Sequence, residues 1–398
     1  MSNLGLCQRL YALLPIRRRP PMGEGLPVEP SLSNGRDGYP QLRGQILMGY
    51  PVKEGVGCLV KVHVCSPIDK PETSVYDSAY TVKDSTMNSI LSAPYFHDEQ
   101  AAYDFVEARL WPNGPVCPKC GSIEKHYLLK GKSTRIGVRK CRDCRKPFRV
   151  TVNTVFESSH IPLRVWLQAV FLIASSKKGM SSNQLSRSLG ITVNSAWFMS
   201  HRIREAMREG NLSPFGLNGG AVEADETYIG NDPAFPLAPD MRAYGNRQKY
   251  KVLALVDRTT KQARSFVVDD MKASTVHPIV RQNIAREARL MTDESPLYKR
   301  LGREFAQHGV VNHRRMEYVK AGNPDIHSNT VEGLFSVFKR GMRGTYQHCA
   351  HNHLHRYLAE FDFRYNNRTA NGVNDSERAE MILRGVYGKR LTYETATV

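Results

Sequence analysis

Three carboxylates in this chain stand where acidic side chains can hold a hard metal ion. The run Ala221-Val-Glu-Ala-Asp225-Glu-Thr-Tyr-Ile-Gly230 is an apolar climb that carries Asp225 and stops at a glycine. A buried strand delivers a carboxylate to a site in this way. Leu290-Met-Thr-Asp293-Glu repeats the pattern, a short apolar run followed by Asp293. Asn329-Thr-Val-Glu332-Gly-Leu-Phe-Ser-Val-Phe-Lys339 then opens a helical period. Attack on a phosphodiester builds charge on both the entering and the leaving oxygen, and two Mg²⁺ ions stabilise one each. Hard Mg²⁺ takes carboxylate oxygens, and Mn²⁺ accepts the same cage. On this reading Asp225 bridges the metals, while Asp293 and a third ligand hold one each.

The third ligand is Asn329 or Glu332. Their spacing is that of a capping box, in which one caps the helix and the other answers it. Charge balance against two dications favours Glu332, since a neutral amide neutralises nothing. Positions 329, 332, 336 and 339 share a helical face. Lys339 therefore lies two turns past Glu332, where it and the adjacent Arg340 are candidates for a DNA phosphate. Glu223, Glu226, Asp257 and Glu294 are weaker alternatives for metal binding. Glu226 follows Asp225 on a strand and so points to the opposite face.

The elements that must position these residues follow from periodicity. Strands are expected at 221–229, 250–257 and 263–269, a helix at 274–287 and a strand at 288–292. A helix at 296–305, a strand near 310–312 and a helix from 330 complete the set. Three consecutive strands and then alternating helix and strand is the order of a ribonuclease-H-like sheet. That fold sets one Asp in the first strand, one after the fourth, and a third ligand on a late helix.

Upstream the texture differs. Residues 96–110 read as an amphipathic helix. Cys117-Pro-Lys-Cys120 and Cys141-Arg-Asp-Cys144 are two C-x-x-C knuckles with twenty residues between them. Four thiolates so spaced suit a closed structural Zn²⁺ site. Cations surround it, among them Arg139 and Lys140, which are candidates for phosphate contact. Next, Pro162 opens a helix. Leu185 and Leu189 belong to a short helix ending at Gly190, and a further helix begins near Thr192–Asn194. Helix, glycine turn, helix is the helix-turn-helix pattern. Asn194, Arg202 and Arg204 are its candidates for a DNA groove or backbone.

Composition agrees. The 398 residues carry a formal charge of +18 with 41% hydrophobic content. That bias favours a polyanionic partner, and cores can still form. No apolar run has the length of a membrane span, and the N-terminus carries no clean signal peptide. Residues 1–86 are rich in Pro and Gly. They are expected to be disordered or a non-native extension, with translation beginning at Met87. The chain thus reads as an α+β multidomain protein. A helix and zinc ribbon span 87–155, a helix-turn-helix region 156–212, a ribonuclease-H-like α/β catalytic domain 218–370 and a C-terminal tail 371–398, which reads as a terminal helix and a loose end.

Together these pieces resemble the DDE-type insertion-sequence transposases with an N-terminal zinc ribbon, the ISXO-two-like group. The matching stretches are Pro94-Tyr-Phe-His-Asp-Glu, Arg109-Leu-Trp-Pro-Asn-Gly-Pro-Val-Cys-Pro-Lys-Cys-Gly and Arg149-Val-Thr-Val-Asn-Thr-Val-Phe. Downstream they are Glu223-Ala-Asp-Glu-Thr-Tyr-Ile-Gly, His327-Ser-Asn-Thr-Val-Glu-Gly-Leu-Phe-Ser-Val-Phe-Lys-Arg-Gly and Phe361-Asp-Phe-Arg-Tyr-Asn-Asn-Arg. The resemblance covers about residues 88–370. It implies metal-dependent cleavage and strand transfer at the terminal inverted repeats of a bacterial element, on double-stranded DNA, in the cytoplasm. Asp225 and Asp293 fall in the acidic pair, and Asn329 against Glu332 stays open. A homo-oligomer on DNA is expected. Two other readings remain: a zinc-ribbon and helix-turn-helix regulator without catalysis, and a hydrolytic nuclease or resolvase on the same fold.

Overall fold

Helix α1 (Glu99–Leu110) begins where Asp98 can cap it, the carboxylate accepting the Ala101 N–H at 2.7 Å. A 3-10 turn over Pro94–Phe96 takes the residues ahead, so the helix starts later than its apolar period suggests. The computed structural model describes residues 89–210, 213–230 and 249–392, all within the unit 84–398. The expectations for residues 1–86 lie outside the described residues. After α1 come three short antiparallel strands, β1 (His126–Leu128), β2 (Arg139–Cys141) and β3 (Pro147–Phe148), in that spatial order.

Helix α2 (Leu163–Ser175) follows Pro162, whose side chain cannot cap it. Glu99 of α1 supplies the cap instead, accepting the Leu163 and Arg164 N–H groups at 2.7 and 3.2 Å. Helix α3 (Ser182–Leu189) ends at Gly190 with φ 65°, a left-handed turn that glycine adopts freely. Thr192 then caps helix α4 (Val193–Met207) by accepting the Ser195 N–H.

The second half of the chain is built on strands β4 (Ala221–Ile229), β5 (Tyr250–Asp257) and β6 (Gln262–Val268). Helix α5 (Ala273–Asn283), strand β7 (Arg289–Thr292), helix α6 (Pro296–Leu301) and strand β8 (Gln307–Val310) follow. The five strands form one sheet in the order β6-β5-β4-β7-β8. The first three are antiparallel, while β7 and β8 run parallel to β4. Helices α7 (Asn329–Gly341), α8 (His351–Asn366) and α9 (Asp375–Arg384) complete the order. One sheet face packs Val252, Ala254 and Val256 against Val331, Leu334 and Phe338 of α7 and Leu358 of α8. The other packs Leu253 and Leu255 against Val276 and Val280 of α5 and Leu301 of α6. Burial on both faces is why β5 is a nearly continuous apolar run. On the outer edge, Asn366 pairs its amide with the Ala263 N–H and carbonyl, and Asp362 accepts the Ser265 N–H and hydroxyl. Helix α8 thus covers the exposed backbone of β6.

One expectation is corrected here. Arg202 and Arg204 do not face a groove: both are buried in α4. Arg202 donates to the Glu157 and Leu391 carbonyls. Arg204 pairs with Glu360 of α8 at 2.6 Å, and Arg364 binds the other Glu360 oxygen. A buried carboxylate needs such partners, and it draws these cations inward. The terminal helix expected past residue 370 is α9, which buries Ile382 and Leu383 in one core with Trp166, Val170 and Ile203. Among the described residues no helix is long and apolar enough to cross a membrane.

Burial alone would raise the Glu360 carboxyl, yet Arg364, Arg204 and the Tyr346 hydroxyl hold it at about 2. A depressed carboxyl contributes stability that is complete above its ordinary value of 4.5 and is lost as pH falls toward about 2. Glu360→Gln should cost about 3–5 kcal/mol in urea unfolding at neutral pH, because two guanidinium groups stay buried without their partner. The difference from wild type should shrink across that acid window. An unchanged midpoint at neutral pH would show that the cluster contributes nothing.

Candidate active site

Strand β4 sorts its carboxylates by alternation. Val222 and Ala224 lie in the α5/α6 core, and Glu226 on that side accepts the Tyr298 hydroxyl at 2.8 Å. Glu223 and Asp225 point the other way, toward α7. Ala221 pairs with Arg289, Val222 with Leu290 and Glu223 with Met291. Continued by two residues, this parallel register sets Asp293 level with Asp225 on the adjacent strand. Gly230 ends β4 with φ 64°, and the Tyr250 ring leaves little room for a side chain there.

The charges act on one another. Burial pushes the Asp225 carboxyl up to about 8, with Glu226, Asp293 and Glu332 adding to the rise. The Glu226 N–H, bonded to Asp225 at 2.7 Å, opposes it. Asp293 is also raised, chiefly by burial, and the Ser295 N–H counters this. Neither Asp225 nor Asp293 has an ion pair among the described residues. Glu332 meets the His313 ring at 3.2 Å. Half-buried aspartates in mutual repulsion, each without an ion pair of its own although Lys339, His313 and Arg314 stand within electrostatic range, are donors that would suit a divalent ion.

Asn329 is exposed as the first residue of α7, and the N-cap is Ser328. The capping box between Asn329 and Glu332 is not what holds the helix start. Glu223, fully buried, accepts the Val331 N–H at 2.8 Å and the Thr330 hydroxyl at 2.7 Å. Arg258 donates to the same carboxylate at 2.6 Å and to the His327 carbonyl at 2.7 Å. These donors occupy Glu223, so it serves α7 and not a metal. His313 and Arg258 were not picked out from sequence, because each acts through a partner distant in the chain, whereas Tyr298 and His327 stand beside the acidic runs.

The cationic candidates divide. Lys339 lies half-buried on α7. Burial and the Arg343 charge lower it, Asp225 pulls it up, and Lys249 lowers it again. It therefore borders the acidic group. Arg340 is exposed on the same helix, as is Asn194 at the start of α4. Lys140 is half-buried on β2. Arg139 pairs with Glu107 of α1 at 2.8 Å and so docks the ribbon instead of projecting from it.

Cys117, Cys120, Cys141 and Cys144 bring all four sulfurs within 4.8 Å of one another, with Cys117–Cys144 at 3.7 Å and Cys120–Cys141 at 3.6 Å. A Zn–S bond of about 2.3 Å gives a tetrahedron with edges of about 3.8 Å, so the thiolates fit that ion. The cysteines are free of disulfides, and Phe148 packs beside them against Trp111.

A four-thiolate ribbon thus precedes a mixed sheet that carries Asp225 in mid-strand on β4 and Asp293 just past the end of the parallel strand β7. Residues 217–366 match the family model described as ISXO2-like transposase domain, and residues 97–147 match the transposase zinc-ribbon domain. The chain belongs to the ISXO2-like transposases. It is also 26% identical over 282 residues to an uncharacterized protein in transposable element ISH50 of Halobacterium salinarum, covering 68% of this chain and 91% of that one. A chain of the simian T-cell lymphotropic virus intasome, solved in complex with the PP2A regulatory subunit B56 gamma, overlaps with a TM-score of 0.23 at 14% identity. That overlap covers 48% of this chain and 66% of that one, and it is too slight to say anything of this fold.

Two outcomes are expected. Purified protein should carry one zinc ion per chain by elemental analysis, and Cys141→Ser should lose it; full zinc content in that variant would refute the four-thiolate site. Glu223→Gln should weaken a charged hydrogen bond by about 1.5–3 kcal/mol. Amide exchange at Val331 should then rise roughly tenfold or more, whereas unchanged exchange would show that α7 is held by other means.

Proposed function

We propose that the chain catalyses metal-dependent cleavage and strand transfer of DNA at the ends of its own element. The observation that carries this reading is that Asp225 lies in electrostatic range of both Asp293 and Glu332, with Glu332 on a helix that the β4 residue Glu223 anchors. The strand order β6-β5-β4-β7-β8 supports a ribonuclease-H-like fold. The α3–Gly190–α4 pair supports a helix-turn-helix, with Asn194 and its neighbours as the exposed end.

In this proposal Asp225, Asp293 and Glu332 would hold the divalent metal, and Asn329 is left outside. Mg²⁺ or Mn²⁺, when bound, would stabilise charge on the attacking and leaving oxygens. The three carboxylates would supply its oxygen ligands. Tyr298 steadies Glu226 on the far face. His313 holds Glu332 on its near side, and Lys339 with Arg340 meets the phosphates beside the scissile bond. The ribbon and the α3/α4 pair bind the element ends, and a homo-oligomer brings two ends together.

Transposition in cells tests this. A marker flanked by the element's own ends is supplied with wild type, Asp225→Asn, Asp293→Asn, Glu332→Ala or Asn329→Ala. Wild type and Asn329→Ala should move the marker, and the other three should not, while all still bind the ends in vitro. Movement with Asp225→Asn would overturn the metal-dependent mechanism. Loss with Asn329→Ala and not Glu332→Ala would exchange the third ligand.

A further inference from the structure

The segment between β8 and α7 has a fixed base and an unusual tip. Asn312 accepts the Arg315 N–H at 3.2 Å and gives its own N–H to Glu317 at 3.2 Å, which locks a turn over His313–Arg315. Val319 bridges to His327, and the Lys320 N–H bonds the Ile326 carbonyl at 2.9 Å. His313 fastens this base to the acidic group: its N–H donates to Glu294 at 2.9 Å, and its ring meets Glu332.

From that base the chain holds large apolar side chains out in water. Met316 is 83% exposed, Tyr318 56% and Val319 41%. Met316 has φ 57°, a left-handed conformation that side chains rarely adopt. The Tyr318 ring stands 5.4 Å from the His313 ring, so its position is tied to the site. Apolar groups clustered on a built surface mark a place of contact. Cations alternate with them. Arg314 leans on Glu294 and Lys320 on Glu317, while Arg315 is exposed with no ion pair among the described residues.

Flat and apolar side chains interleaved with cations suit a nucleic-acid strand whose base faces are open, with the cations on phosphates and the ring on a base. Stacked bases inside a duplex offer no such face. We propose that this loop is a base-stacking clamp for an unpaired DNA strand beside the acidic site, with Tyr318 and Met316 against the bases and Arg315 on the backbone. The inference rests on the DNA-cleavage reading above.

Fluorescence anisotropy with the full chain tests it, with no divalent cation added. The probes are a fluorescein-labelled duplex of arbitrary sequence with a short unpaired 3′ tail, and the same duplex blunt. Wild type should prefer the tailed DNA by at least about fivefold, the low end of base–aromatic stacking. Tyr318→Ala and Met316→Ala should lose the preference while holding blunt-duplex affinity, and Tyr318→Phe should keep it. Arg315→Ala should weaken both probes together. Thermal melting checks that each variant is folded, and the exposed positions leave that expectation intact. A preference unchanged in both alanine variants overturns the clamp. Equal wild-type affinity for the two probes overturns it too, and leaves the transposase reading standing. Binding to neither probe overturns both.

Discussion

The site depends on one buried carboxylate that belongs to no metal. Glu223 is sealed under α7, where an unpaired charge would be costly, and it is satisfied only when Arg258, Thr330 and the Val331 N–H close around it. Meeting that demand fixes α7 against β4. Asp225 and Glu332 then face one another across the strand–helix contact, although 107 residues separate them in the chain. The helix start is electropositive, which makes a carboxylate there doubly favourable. Glu99 does the same for α2, where Pro162 leaves the first turn without a side-chain cap. In both places an acidic residue from another element decides where a helix begins and how it is aimed.

The acidic group is assembled against its own electrostatics. Asp225 is lifted to about 8 because the fold buries it among like charges. The sheet tolerates this because it is sandwiched by apolar side chains on both faces and capped along β6 by α8. The stability spent on gathering like charges is supplied by a core remote from them. Active sites commonly store strain in this way.

Legibility from the sequence followed the range of the interactions. The bounds of β4 and β5 could be read because alternation and apolar runs are local, and the Gly190 turn because a left-handed residue marks itself. The ribbon could be read because thiolate spacing is geometry written in the chain. Asp225 and Asp293 stand out as candidates because each follows a short apolar run. Arg202 and Arg204 could not be assigned, since the burial of Arg204 depends on Glu360, which lies 156 residues away. The cap on α7 was sought within the local Asn329–Glu332 spacing, while the acceptor comes from β4. Helix α5 ends at Asn283 and not Glu287, because Ile284 turns extended and pairs with Phe215, whose N–H and carbonyl bond Asn283 and Ala285.

Helix α9 carries a consequence for how the protein is made. Its Ile382 and Leu383 fill a slot between α2 and α4, elements that leave the ribosome some two hundred residues earlier. Until α9 emerges, that slot is open apolar surface, attractive to chaperones and to other nascent chains. A premature stop anywhere in the sheet domain therefore leaves the helical region unfinished as well. Fragments of this chain should be cleared as misfolded protein and not persist as free ribbon and helices.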